Sequence, residues 1–349
     1  MKINEIKRMV TSSKEYNFLL DHPSLGKNIM LLGLGGSYAY GMNKDSSDID
    51  IRGIAFNKKE EILLGQDFEQ VVDIQTDTTV YSFNKIIELL TKANPNTIEI
   101  LGLESDQYLY ITKIGKQLID NADMFLSKRC IHTFGGYASA QLRRLENKAA
   151  RLTTQAENEK HVLKSIENAR FDFERKYFDH DADQIELFIG DSFREGYEKE
   201  IFMNIHLENY PLRDWVNMWN EMRCISNSYD KIGKRNDKAI THDKLGKHMA
   251  HLIRLYMMGI DILLKKRIIT KRTEEHDFLM KIRNGGFLNE EGQPIKDFYE
   301  ILKEIDERFE DAKNKTTLPD NPDFERINKF KETVNEAIVK GENIYERDI

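Results

Sequence analysis

Cysteine is scarce in this sequence of 349 residues: Cys130 and Cys224 are the whole complement, far apart and without a C-x-x-C pair. That excludes a disulfide framework and a cysteine-rich zinc site, and it makes a reducing, cytoplasmic setting the expectation. Proline is nearly as rare, at six residues, and with 20 glycines the chain has no collagen-like or low-complexity character. Long apolar runs are missing too. The longest, IMLLGLGG and LYMMGIDILL, fall short of the roughly 20 residues that span a bilayer. The opening MKINEIKRMV is broken by charge too soon for a secretory signal, so a soluble protein with no membrane partner is expected. Nor is there an excess of positive charge, since 52 Lys and Arg face 59 Asp and Glu for a net charge of -7. A body that is basic all over and wraps nucleic acid is excluded, whereas a local basic groove is not.

What is present is ample core material, 40% apolar, in a length that suggests about two domains. Residues 1–20 read as one amphipathic helix and NIMLLGL at 28–34 as a buried strand. SDIDIRGIAF at 47–56 alternates with period two, placing Asp48, Asp50 and Arg52 on one face of a second strand. FEQVVDIQTDTTVY reads as a third strand with Asp73, Gln75 and Asp77 on one side. SFNKIIELLT then changes to helical spacing. Beyond Ile114 the patterns are almost wholly helical, most clearly in LGKHMAHLIRLYMMGIDILLKK at 245–266. Trp215 and Trp219 read as a packing stripe, and His180 among Asp179, Asp181 and Asp183 as an acidic loop tip. The expected architecture is α+β: a small mixed-sheet domain over 1–112, then a mostly helical domain over 113–349.

The densest signal is GGSYAYGMNKDSSDIDIRG at 35–53. Gly35 and Gly36 permit close backbone approach with unpaired N–H groups and Ser37 adds a hydroxyl, which together form a phosphate cradle at a helix start. Tyr38 and Tyr40 flank that turn, and either can wall a base. Eleven residues beyond Ser37, Asp48 and Asp50 stand two apart, pointing the same way and close enough to share hard cations. Like charges so placed repel unless protonated, solvated or neutralised. Mg²⁺, or Mn²⁺ in its place, resolves the repulsion: one ion lowers the pKa of an attacking hydroxyl and another steadies a triphosphate and its leaving group. A third carboxylate comes from the next strand, Asp77 in preference to Asp73. An isolated D-x-D is more often a solvated strand end, so it is the order strand, G-G-S, turn, D-x-D that carries the chemistry. The dinucleotide fingerprint lacks its third glycine, and no G-K-S/T follows for a P-loop.

The run G-G-S-x-A-Y-G followed by S-D-x-D-x-x-G resembles the signature of DNA-polymerase-beta-type nucleotidyltransferases. More narrowly, it resembles a branch that includes proteins encoded beside RNA ligases. The resemblance implies a palm-like sheet, a G-S turn holding nucleotide phosphates, Mg²⁺ on Asp48 and Asp50, and a third acid that activates the acceptor hydroxyl. It continues through Asp77, Lys85, Asn94, Pro95 and Glu99, and again at GKHMAHLIRLYMMGIDIL and KIRNGGF. One departure stands out: Ala93 occupies the place where a glycine is expected before Asn94.

In the helix from Leu245, Lys247, His251 and Arg254 fall on one face, behind the basic segment YDKIGKRNDKAITHDK. On spacing alone this is as readily a solvated helix face as a clamp over a triphosphate or an RNA end, and the resemblance favours the clamp. The expected function is Mg²⁺-dependent transfer of a nucleoside monophosphate from ATP or another NTP to an acceptor hydroxyl, with pyrophosphate released. An RNA end, tRNA included, is the leading acceptor. The alternatives are nucleotidylation of a protein or small molecule, and a nucleotide-binding regulator without turnover.

Overall fold

The computed structural model describes residues 1–150, 185–191, 193, 199–205, 209–213, 215, 216, 219, 220, 222, 223, 242–290 and 292–346. The basic segment 231–238 and the His180 cluster lie outside the described residues. Five strands, β1 (Ile29–Leu34), β2 (Ile51–Ala55), β3 (Gln70–Asp73), β4 (Thr78–Ser82) and β5 (Tyr108–Ile111), form one sheet in the order β3-β4-β2-β1-β5. The β2–β4 pair is parallel and the other pairs are antiparallel, so the sheet is mixed. A second sheet is the hairpin of β6 (Ile185–Asp191) and β7 (Lys199–Ile205).

The helices used below are α1 (Ile3–Ser12), α2 (Gly36–Ala39), α3 (Phe83–Thr91), α4 (Pro95–Ile98), α5 (Lys113–Asp120) and α6 (Arg129–Ala150). They continue with α7 (His242–Lys265), α8 (His276–Arg283), α9 (Lys296–Lys315) and α10 (Phe324–Lys340). The fold is α+β, a five-stranded mixed sheet followed by a mostly helical region. Among the described residues no helix is long and apolar enough to cross a membrane.

The chain forms two compact units. Met1–Gln141, Gly246–Phe287 and Lys296–Ile349 make one, and Leu142–Leu245 with Leu288–Ile295 the other. In the first, β1 is buried along its whole length, as its unbroken apolar run requires of a central strand. Leu32 of β1, Ile51 of β2 and Val80 of β4 pack with Tyr16, Leu19 and Leu25 in one cluster. Ile6 of α1, Leu34 and Tyr38 form another. In the second unit Trp215 and Trp219 stack with ring centroids 6.3 Å apart, and Trp219 is half exposed rather than packed away.

Three expectations need correcting. The first helix stops at Ser12 because Ser13 is extended, and three short helical turns follow before β1. The strand expected over 47–56 begins only at Ile51, because β1 leaves the sheet after Leu34 and Asp48 has no neighbouring strand to pair with. The third strand is instead a hairpin. Asp73 Oδ1 accepts from both the backbone N and the hydroxyl of Thr76, each at 2.9 Å, an Asx-type turn that reverses the chain between β3 and β4.

Candidate active site

The glycine turn and the carboxylates are built around one close approach. Gly36 opens α2 with φ of 52°, a left-handed conformation that suits glycine. A Cβ there would also fall inside the Asp50 carboxylate. Gly35 precedes it in extended backbone and donates its N–H to the Asp50 carbonyl at 2.8 Å. The turn and the segment entering β2 are therefore laced together, and Asp50 lies directly over the Gly36 backbone. Ser37, next in α2, is buried.

Asp77 arrives from the other side, at the last residue of the β3–β4 turn, with φ of 44°. Its carbonyl accepts from the Ile51 N–H at 3.1 Å and from Arg52 Nη1 at 2.8 Å. Its carboxylate Oδ1 takes both Arg52 Nη1 and Nη2 at 3.2 Å. Asp50 and Asp77 share a hydrogen bond. Burial, then Asp77, pushes the Asp50 carboxyl up to about 7, while Arg52 and Lys247 pull the other way. The hydrogen bond from Asp50, then Arg52 and Lys247, holds Asp77 below the ordinary carboxylate range. Two acids so close cannot both ionise cheaply, so Asp50 keeps the proton and donates it to Asp77. Asp73, the other candidate for third acid, is occupied in its turn.

A second cluster adjoins the first. Tyr40, just past α2, is buried, and its hydroxyl donates to Glu99 Oε2 at 2.7 Å. The Arg254 guanidinium of α7 lies over the Tyr40 ring, 3.5 Å from its centroid, a desolvated cation–π contact. Arg254 Nη2 meets His251 Nδ1 at 2.9 Å. A guanidinium can only donate, so this ring nitrogen is the acceptor. Burial raises Glu99, against the opposing pull of Tyr40, Arg254 and Arg52. Arg254 is thus committed to Tyr40 and Glu99, whereas Lys247, two turns earlier, is exposed and acts electrostatically on both Asp50 and Asp77.

The C-terminal motif KIRNGGF explains how α7 is held there. A Cβ on Gly246 would collide with the carbonyl of Arg283, so only glycine lets the start of α7 pack this closely on the end of α8. Arg283 donates to the Met42 carbonyl at 2.6 Å and to Ser47 Oγ at 3.1 Å. The loop between the glycine turn and β2 is thereby pinned from a residue more than 230 positions away.

The remaining resemblance positions are structural. Lys85 pairs with Glu69 at 3.0 Å and Glu88 at 3.5 Å on the surface, and Asn94 caps α4 by accepting from the Asn96 N–H at 2.9 Å. Ala93 is the residue after the cap of α3, buried, with φ of 52°, the place where helices favour glycine. Left-handed strain on alanine is about 1–2 kcal/mol. Against it stand about 0.8 kcal/mol for the buried methyl and about 0.4–1 kcal/mol of unfolded-state entropy that glycine would add. Ala93→Gly should therefore change stability by less than about 0.5 kcal/mol, whereas Ala93→Val should lower it by several times that. Thermal melts of the two variants check this, and a strongly stabilising glycine would contradict the balance.

Asp48 is exposed in the irregular segment ahead of β2. Among the described residues no group of three or more His, Cys, Asp or Glu side chains is placed to hold a metal ion. The arrangement brings together Asp50, Asp77, Arg52, Gly36 and Lys247, with Tyr40, Glu99, Arg254 and His251 beside them, and it leaves Asp48 outside. Arg52 was legible only as a third residue on the D-x-D face, and its grip on Asp77 depends on the hairpin turn. Arg283 carried no local signal beyond its place in KIRNGGF.

Two carboxyls forced to share a proton beside a glycine turn form a hard-oxygen donor set. Mg²⁺ characteristically takes one or two carboxylates and completes its shell with water and substrate phosphates, so Asp50 and Asp77 fit such an ion without a third acid already in place. No curated protein and no solved structure matches the chain. Residues 1–167, which contain the whole sheet, the glycine turn and both paired acids, match the model of the RNA repair pathway DNA polymerase beta family. Over those residues the chain is similar to that polymerase-beta family.

Proposed function

We propose that the protein transfers a nucleoside monophosphate from an NTP to a hydroxyl at an RNA end. The observation that carries this reading is the Asp50–Asp77 carboxyl pair, set over the Gly36 turn with Lys247 alongside. A divalent cation held by the pair, with Asp48 joining from its exposed segment, supplies charge neutralisation at the triphosphate and a lower pKa for the attacking hydroxyl.

The protein's own residues do the rest. The Gly35 and Gly36 backbone and the Ser37 hydroxyl receive phosphate oxygens, and Lys247 draws the polyphosphate toward the pair. The acceptor oxygen bonds to the α-phosphorus, the bond to the β-phosphate bridge breaks, and pyrophosphate leaves. The proton of the acceptor hydroxyl passes to the carboxylate pair. Arg52 keeps Asp77 aimed at Asp50, while Arg254 and His251 fix Tyr40 and Glu99 behind the turn.

The test is incubation of the pure protein with each labelled NTP, Mg²⁺ and a pool of small RNAs that includes tRNA. Label on RNA with equimolar pyrophosphate is expected, and an Asp50→Asn, Asp77→Asn variant should lose both. Pyrophosphate release with the label on the protein or on a small molecule would replace the acceptor and keep the chemistry. Transfer that persists in the folded double variant would end the assignment.

A further inference from the structure

Away from the acid pair, the segment between α7 and α8 carries cations that the site above does not use. Lys266, Arg267 and Lys271 are exposed, and none has an ion-pair partner among the described residues. Their neighbours differ: Lys265 and the buried Arg272 both bind Asp261, at 2.8 and 2.5 Å.

The segment has no regular secondary structure, yet it is fixed. The buried Arg272–Asp261 pair anchors one end. Thr270, fully buried, donates its hydroxyl to the Gly102 carbonyl at 2.7 Å. The free cations therefore stand on a rigid base, which lowers the entropy cost of binding through them.

Lys266 and Arg267 line a groove with a volume of about 670 Å³, together with Leu101–Ser105 and with Ile119, Asp120, Ala122 and Asp123. That is within the range of ligand sites, about 300–1,000 Å³. Of the acids in its wall, Asp120 and Asp123 are held by Lys116 and Arg326, which leaves Glu104 against the cations. Five residues further, the Lys271 side chain packs 3.5 Å from the position a Cβ would take at Gly41, at the close of the glycine turn. The positive strip thus runs from the groove to the turn beside which Asp50 lies. In chain terms it covers at most about 17 Å.

We infer that this strip binds the phosphate backbone of a single-stranded RNA acceptor, with the groove holding nucleotides upstream of the reacting end. The inference rests on the nucleotidyltransferase reading for its direction, since the strand would leave the acid pair along Lys271 and pass Arg267 and Lys266. Unpaired, exposed cations above a polar groove suit a polyanion, and an apolar protein partner would find only half-buried Ile268 and Ile269. Net charge is no obstacle, because backbone contacts act locally within about a Debye length.

The test measures binding of a fluorescent single-stranded RNA, without NTP or metal, to the wild type and to a Lys266→Gln, Arg267→Gln, Lys271→Gln variant at several salt concentrations. Three lost phosphate contacts should reduce the slope of log affinity against log salt by about 2. The fall in affinity from about 50 to about 200 mM salt should then be roughly twentyfold smaller in the variant. Mg²⁺–NTP binding, followed in parallel by calorimetry, should be unchanged by the substitutions. An unchanged slope, or a wild type that binds no RNA at low salt, overturns the strip as the RNA site. So does preferential binding of poly-glutamate at the same residues. Failure of Mg²⁺–NTP binding in the wild type would instead strike the nucleotidyltransferase reading, and the RNA measurement would still stand by itself.

Discussion

Asp50→Asn should raise the melting temperature of the metal-free protein at pH 8 by about 3 °C and lower nucleotidyl transfer on the order of 10³-fold. The two effects have one origin. Burial and Asp77 push the Asp50 carboxyl up to about 7, from 3.8. The folded protein therefore keeps a proton that the unfolded chain releases between those two values. Where the native state binds more protons, stability falls as pH rises, so Asp50 weakens the fold progressively from about pH 4 to pH 7. Asp77 has the opposite sign. Its folded pKa is depressed, so its contribution is already complete above the unfolded value and is lost only as pH falls below it. Asparagine at position 50 removes the first effect and leaves Asp77 its hydrogen-bond partner and Arg52. The net gain at pH 8 is on the order of 2 kcal/mol, reduced from the full shift by the opposing partner and by partial exposure.

Calorimetry at pH 5 and pH 8, with and without Mg²⁺, separates the parts of this argument. The difference between variant and wild type should be largest at pH 8 and fall to less than half of that at pH 5, because the unfolded chain releases the proton from about pH 4 upward. Mg²⁺ should stabilise the wild type at pH 8 and leave the variant almost untouched, because the ion takes over the neutralising role of the proton. An equal difference at both pH values would mean that Asp50 is not strained by Asp77, and the carboxyl pair would lose its standing as the cation site.

The same pair shows how far the sequence could be read. The glycine turn was legible because Gly36 answers a local need, a positive φ under a carboxylate, and such needs leave residue-type signatures. Asp50 followed from its spacing to that turn. The strand assignment for residues 47–50 failed because period-two alternation says which way side chains would point if the backbone were paired. It does not say where the neighbouring strand ends. The β3–β4 turn failed similarly: Asp73 and Thr76 form it through side-chain hydrogen bonds, and the same residues alternate acceptably as a strand. Arg52 and Arg283 were hidden for a third reason. Their partners lie 25 and more than 230 residues away, and a long-range polar contact leaves no periodic trace in a single sequence. The helical face of Lys247, His251 and Arg254 was real as geometry. Burial then divided it, giving Lys247 to the solvent beside the acids and Arg254 to the interior.

That division sets the second large effect. Arg254→Met should destabilise the fold by about 3–5 kcal/mol, well beyond an ordinary surface substitution. The guanidinium is buried against the Tyr40 ring, its Nε has no hydrogen-bond acceptor among the described residues, and Glu99 beside it is half-buried. Removing the cation leaves Glu99 to be protonated or stranded, and it removes the cover from Tyr40. Methionine keeps most of the volume, so the loss would report charge and stacking rather than a cavity.

Adding Glu99→Gln should restore a large part of the stability, because a neutral amide can still accept from the Tyr40 hydroxyl and no longer needs a cation. Thermal melts of the two single variants and the double variant give the coupling directly. The double variant also decides what Arg254 does for the nucleotide. If it positions the glycine turn through Tyr40, the restored fold should recover NTP affinity along with stability. If its guanidinium reaches the triphosphate itself, the repaired protein should remain deficient in NTP binding, with KM raised and the melting temperature near that of the wild type. The burial of Arg254 and its stacking on Tyr40 favour the first outcome, and the second would require the side chain to leave Tyr40 when substrate binds.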